Sequence, residues 1–242
     1  MSTVYLVRHG QAGTRDSYDL LSELGWTQAR LLGEYFVSQK LSFNAIISGS
    51  LQRQRQTAEA VAQAYAAANV SFPPIVDDPG WDEFDLTRLY REIAPQLCAE
   101  DAEFASDYAG MQEQIRASAG AAEAAIHRHW HPCDSRVVQA WISGRYQQDG
   151  ETWEQFHDRI AACVAKICQF PDDQRVAIFT SATPIGICGG LTLDIFDQRS
   201  IRLAGVVQNS SYTIFRLREN NLRLFTFNAT PHLADPKLCT HR

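Results

Sequence analysis

Apolar and polar positions along the first half of the chain switch between a strand period and a helix period. Thr3 to Val7 (TVYLV) is a β-branched and aromatic run that stops at Arg8-His9-Gly10, where glycine permits a sharp change of direction, so it predicts a strand followed by a loop. Beyond Leu24-Gly25-Trp26-Thr27, the positions Ala29, Leu32 and Tyr35 or Phe36 recur at helical spacing. Phe43 to Ile47 predicts a short buried strand closed by Ser48-Gly49-Ser50, and LQRQRQTAEAVAQAYAAA after it is a strong alanine-rich helix. Strand, turn and helix thus occur twice, and Pro73-Pro74 keeps Ile75 and Val76 extended.

From about residue 86 to 145 the pattern changes to helix-forming segments rich in alanine, glutamine and acids, with breaks expected at Pro95, Gly110, Gly120 and Pro132. This stretch reads as a helical insertion. Glu151 to Phe170 resumes as an amphipathic helix, and Arg175 to Thr180 is an apolar strand. Pro184 fits the first turn of a further helix, with Thr183 as its expected cap. Ser211 to Leu217 and Leu222 to Asn228 predict two strands joined by the turn 218–221. Alternating strands and helices imply an α/β fold: a three-layer α/β/α sandwich around a mostly parallel sheet, with a late hairpin edge.

Hydrophobic residues make up 45% of the 242, enough to bury a substantial core in one domain spanning residues 1–242 with the insertion at about 86–145. The net charge of −6 leaves no excess positive field for a nucleic-acid backbone or an anionic membrane, so any bound anion must be gripped locally. Met1 to Val7 runs directly into a strand without a basic start and apolar leader, no apolar stretch reaches membrane-spanning length, and the six cysteines show no CxxC pair. A cytoplasmic location with reduced thiols is the expectation.

Ligands of open α/β sheets bind beyond the carboxyl ends of the strands, which selects a short group of candidates. Arg8, His9, Gly10 and Gln11 follow the first strand; Ser48, Ser50 and Arg53 follow the second. Asp82 and Glu83 lie in PGWDEFD after the third extended stretch, and Ser181-Ala182-Thr183 follows the strand at 175–180. Guanidinium groups at Arg8 and Arg53 present paired donors that match phosphoryl oxygens. A neutral imidazole at His9 can attack phosphorus to form a phosphohistidine, and a carboxylic acid, chosen as Glu83 over its neighbours Asp82 and Asp85, can protonate the departing oxygen. Gln11, Ser50 and Thr57 either contact phosphate or brace their turns.

Arg8-His9-Gly10-Gln11 after a first strand, with SGSLQRQRQTAE at 48–59, resembles the histidine phosphatase superfamily, also called phosphoglycerate-mutase-like. The matching positions are Ser48, Ser50, Leu51, Arg53, Gln56, Thr57 and Ala58. The stretches LSELGWTQA (21–29), WDEFD and ETWEQFHDRI (151–160) are also similar to that family, so the likeness spans most of the chain outside the insertion. The resemblance implies a nucleophile at His9, phosphate-binding arginines at Arg8 and Arg53 and a proton donor at Glu83; Gln11, Ser181 and Thr183 are further candidate substrate contacts by their place on the rim. The implied substrate is a phosphorylated small molecule; no metal or organic cofactor, nucleic acid or membrane is implied, and a homodimer stays open.

One departure matters. The family carries a second histidine in a pattern similar to S-H-G, and Ala182 occupies that position here. Losing one preorganised donor typically costs about 2.7–4 kcal/mol in the transition state. Backbone N–H groups at the helix start, the hydroxyls of Ser181 and Thr183, or His232 are candidate replacements. The expected function is phosphomonoester hydrolysis through phosphohistidine, with a mutase or a catalytically silent phosphate-binding protein as alternatives. His127, His129, His131 and Cys133 invite a metal reading, but their i, i+2 spacing points rings around different faces, and an insertion helix end or lid rim is preferred.

Overall fold

A computed structural model describes residues 1–121, 124–195 and 199–241. Six strands, β1 (Ser2–Arg8), β2 (Ala45–Ser48), β3 (Ile75–Asp77), β4 (Arg175–Thr180), β5 (Tyr212–Arg218) and β6 (Asn221–Ala229), form one sheet in the order β3-β2-β4-β1-β5-β6. The first four strands in that order run parallel, and β5 and β6 add an antiparallel edge. The hairpin turn places Glu219 and Asn220 both at positive φ, the geometry whose twist matches the two strands it joins.

Alternation along the central strands splits the core in two. Tyr5, Val7, Ala177, Phe179 and Ile46 pack with Leu32 and Phe36 of α1 (Glu23–Ser38) and with Ala58, Val61 and Tyr65 of α2 (Gln52–Ala67). Val4, Leu6, Val176 and Ile178 are buried on the opposite face. Chain segments 1–13, 17–83 and 159–241 form one compact unit, which contains this sheet. At the end of β1, the loop after His9 lies directly on α1: a Cβ on Gly10 would sit 2.4 Å from the Gly25 carbonyl oxygen, and one on Gly25 would sit 2.1 Å from that of Gln11. Both positions therefore require glycine, and the close approach carries the loop under the first turn of α1.

A second compact unit, residues 14–16 and 84–158, is helical. It comprises α3 (Leu86–Glu100), α4 (Ala102–Ala117), the short α5 (Ala125–Arg128), α6 (Pro132–Ile142) and the beginning of α7 (Trp153–Ile167). Two of the expected breaks are absent. Pro95 lies inside α3 and Gly110 inside α4, because the buried stripes Leu89, Ile93, Ala94 and Leu97 of α3, and Phe104 and Met111 of α4, outweigh the local cost of proline and glycine. The break falls instead at Asp101, whose carboxylate accepts from the Phe104 N–H and caps α4. Gly120, at φ +81°, lies beyond the end of α4, and Pro132 opens α6.

The His127–Cys133 segment supplies helix ends. His131 Nδ1 accepts from the Cys133 N–H, and Asp134 accepts from the His131 N–H, a reciprocal cap on α6. Buried His127 accepts from the Arg15 N–H through Nδ1 and contacts Ser118 through Nε2. Arg15 also grips the buried Asp134 carboxylate with two donors while Tyr90 donates a third hydrogen bond at 2.6 Å. Burial works against the charge on Asp134, but Arg15 and Tyr90 outweigh it and hold the carboxyl below its ordinary value. Among the described residues, no group of three or more His, Cys, Asp or Glu side chains is placed to hold a metal ion, and no helix is long and apolar enough to cross a membrane.

Candidate active site

The ends of β1 and β4 and the start of α2 bring Arg8, His9 and Arg53 together. His9 is 2% exposed, and its ring is held at both nitrogens. Nδ1 lies 2.7 Å from the Gly10 carbonyl oxygen, which can only accept, so Nδ1 carries the proton. Nε2 lies 3.3 Å from Nε of Arg53, which can only donate, so Nε2 keeps its lone pair. Burial pushes the His9 pKa well below the ordinary imidazole value, and the charges of Arg53 and Arg8 push it further down. The ring is a neutral imidazole with a lone pair facing a guanidinium.

The backbone around it is fixed from several sides. The His9 N–H donates to Thr180 O of β4, and its carbonyl accepts from the Ser210 N–H and from Asn209 Nδ2. Thr57 Oγ1 accepts from the Gly10 N–H and donates to Arg53 O, so it braces the loop against the helix that carries Arg53. Gln11 also braces, since its side chain and carbonyl both accept from Ser22 Oγ.

Arg8 is buried, and its Nη1 donates to the carbonyls of Val207 and His241. Its Nε is a buried donor without an acceptor among the described residues. Arg53 is also buried; Nη1 pairs with Asp19 at 3.0 Å, and the guanidinium stacks over the Tyr18 ring at 5.0 Å. The sequence gives no mark of Asp19 or Tyr18, because neither follows a strand directly.

The three acids of WDEFD separate cleanly. Asp82 takes two hydrogen bonds from Ser50, and Asp85 caps α3 through the Arg88 N–H. Glu83 accepts from the Thr183 N–H at 3.1 Å, at the start of α8 (Ala182–Thr192), and its charge is felt at Arg8, supporting a guanidinium that burial disfavours. The segment ahead of Glu83 is pinned at the Trp81 carbonyl by Thr180 Oγ1 and Gln54 Nε2. Trp81 itself is only 1% exposed, a core residue and not a stacking platform.

The proposed replacements for the second histidine fare differently. α8 begins two residues earlier than expected: Ser181, not Thr183, flanks its first turn, and Ser181 makes no side-chain cap because its hydroxyl accepts from Gln54 Nε2. The Thr183 N–H is committed to Glu83. His232 is buried with Nε2 on Ser210 Oγ, and no contact among the described residues joins its ring to His9.

The family model of the histidine phosphatase superfamily (branch 1) matches residues 4–140 and 116–230, most of the chain. The chain belongs to this superfamily. As a member of it, the protein is 26% identical over 214 residues to the probable phosphoglycerate mutase GpmB of Citrobacter koseri, covering 84% of this chain and 81% of that one. Among solved structures it is similar to Bacillus stearothermophilus YhfR, at 17% identity and a TM-score of 0.63, covering 96% of this chain and all of the other. A phosphoserine phosphatase from Entamoeba histolytica in complex with 3-phosphoglyceric acid superposes with a TM-score of 0.60 at 17% identity, covering 96% and 100%. These likenesses establish a histidine phosphatase fold around the cluster described above.

Proposed function

We propose that this member of the histidine phosphatase superfamily is a phosphomonoesterase acting through a phosphohistidine on a small phosphorylated substrate. The observation that carries the reading is the pair of hydrogen bonds on the His9 ring, which leave a neutral imidazole with its Nε2 lone pair beside two buried guanidinium groups. In the first step Arg53 turns its N–H from Nε2 to a phosphoryl oxygen, Nε2 attacks phosphorus, and the bond from phosphorus to the ester oxygen breaks. Glu83, protonated, gives its proton to that oxygen. In the second step water attacks the phosphohistidine, Glu83 takes the proton, and inorganic phosphate leaves as the lone pair returns to Nε2.

Arg8 and Arg53 hold the phosphoryl oxygens in both steps. Ala182 withholds one transition-state donor, so the acceleration is smaller than a second histidine at this position would give. The name of the Citrobacter relative favours a second reading, in which the phosphohistidine returns its group to another hydroxyl of the same substrate. Incubation with a phosphorylated hydroxy acid separates the two. Hydrolysis releases inorganic phosphate in step with substrate loss; an isomer without free phosphate would replace this reading with the mutase, and neither product would leave a silent phosphate-binding protein.

A further inference from the structure

Gln28, on α1, is fully buried and 17 positions from Gln11, and its side chain sits at the centre of a directional hydrogen-bond chain. Its Oε1 accepts from the Gln11 N–H at 2.7 Å. Its Nε2 donates to the Leu238 carbonyl at 2.7 Å and to Thr240 Oγ1 at 2.9 Å. The Thr240 hydroxyl then donates to Asn209 Oδ1 at 2.9 Å, the Asn209 N–H donates to the Thr240 carbonyl, and Asn209 Nδ2 donates to the His9 carbonyl.

The Gln11 N–H belongs to the same peptide plane as the Gly10 carbonyl, the acceptor of the His9 Nδ1 proton. A trans peptide points its N–H and C=O in opposite directions, and the chain has no cis bond among its described residues. Holding the N–H toward Gln28 therefore holds the oxygen toward His9. Were this plane to turn over, an N–H would face Nδ1, the ring proton would move to Nε2, and the attacking lone pair would be lost. The second constraint on the tautomer, the Arg53 N–H, has to leave Nε2 when a phosphoryl group arrives. At the moment of attack only the Gly10 oxygen still sets it.

We propose that Gln28 is a positioning residue that fixes the tautomer of His9 through the Gly10–Gln11 peptide, and that Thr240 keeps the Gln28 amide in the orientation this needs. Leu238 O and Thr240 Oγ1 allow Gln28 to present only oxygen to Gln11, because the Leu238 carbonyl cannot donate to an amide oxygen. The catalytic consequence rests on His9 being the nucleophile; the tautomer itself does not. A catalytic imidazole left without its orienting acceptor can lose up to about four orders of magnitude in rate.

The test is the 15N spectrum of the histidine rings at neutral pH in saturating inorganic phosphate, which draws the Arg53 N–H from Nε2, with the His9 signals assigned by their loss in His9→Ala, read beside single-turnover phosphoenzyme formation. Wild-type protein should show Nδ1 protonated and Nε2 unprotonated. Gln28→Leu should give a mixed tautomer and slow phosphoenzyme formation by about ten-fold or more with KM little changed. Thr240→Val should shift both in the same direction by less, and Thr240→Ser should restore them. A folded Gln28→Leu with the wild-type tautomer overturns the proposal; if that variant does not fold, an unchanged tautomer in Thr240→Val does so. Wild-type protein that forms no phosphoenzyme would sink the functional reading alone, since the ring spectrum still decides the positioning claim.

Discussion

Each residue of the candidate site is defined by what its partners are able to give or take. Gly10 O can only accept and Arg53 can only donate, which leaves His9 one tautomer; burial beside two positive charges then keeps it neutral. Asp82 and Asp85 are committed to Ser50 and to the cap of α3, so Glu83 is the acid of WDEFD tied to the β4 end of the site. Glu83→Gln should therefore lower kcat/KM, which reports the first step alone, by about 10²–10⁴ for an alkyl phosphate, whose leaving group needs a proton. The loss should be far smaller for an activated aryl phosphate. Steady-state kcat/KM values on the two esters check this, and equal losses on both would remove Glu83 from the role of acid. The motifs made His9, Arg8, Arg53 and the WDEFD acids legible in the sequence. Asp19, Gln54 and Asn209 were not, because their contacts depend on folded geometry, and Gln28 meets its tail partners 210 and 212 positions away.

At the scale of elements, the sequence was most readable where glycine or proline punctuates a short apolar run. The strand at 175–180 appears with the predicted limits, and the two N-terminal strand–turn–helix units appear with their ends moved by a few residues. The same punctuation misled inside α3 and α4, where buried stripes carry the helices through Pro95 and Gly110. It also misplaced the start of α8 by two residues, at an end that carries no side-chain cap because the Ser181 hydroxyl is taken by Gln54. That start matters for rate: Ala182 opens α8, and the next N–H is already spent on Glu83. Ala182→His should raise kcat for an aryl phosphate by about ten-fold or more by adding a donor to the phosphoryl group. An unchanged or lower rate in the same assay would mean that another group already fills this place.

Across the whole molecule, buried neutral histidines tie stability to pH. Burial lowers His232 to about 4 and His9 well below its ordinary value. Between about pH 6.5 and pH 4 the unfolded chain takes up protons that these folded imidazoles refuse, so stability is full above the ordinary imidazole value and falls as acid is added. His232 alone accounts for a loss on the order of 3 kcal/mol across that window. Denaturant unfolding of His232→Gln followed from pH 7 to pH 4 should show a shallower decline than wild type. Parallel curves would assign the acid sensitivity elsewhere.

The most direct measurement is to quench the protein during turnover of a phosphorylated substrate in alkali, digest it and map the phosphoryl group by mass spectrometry. The account predicts an acid-labile, base-stable phosphoryl group on the peptide that carries His9, absent from His9→Ala, which keeps its fold and loses turnover. Turnover with the group on any other residue, or undiminished turnover in His9→Ala, would contradict it.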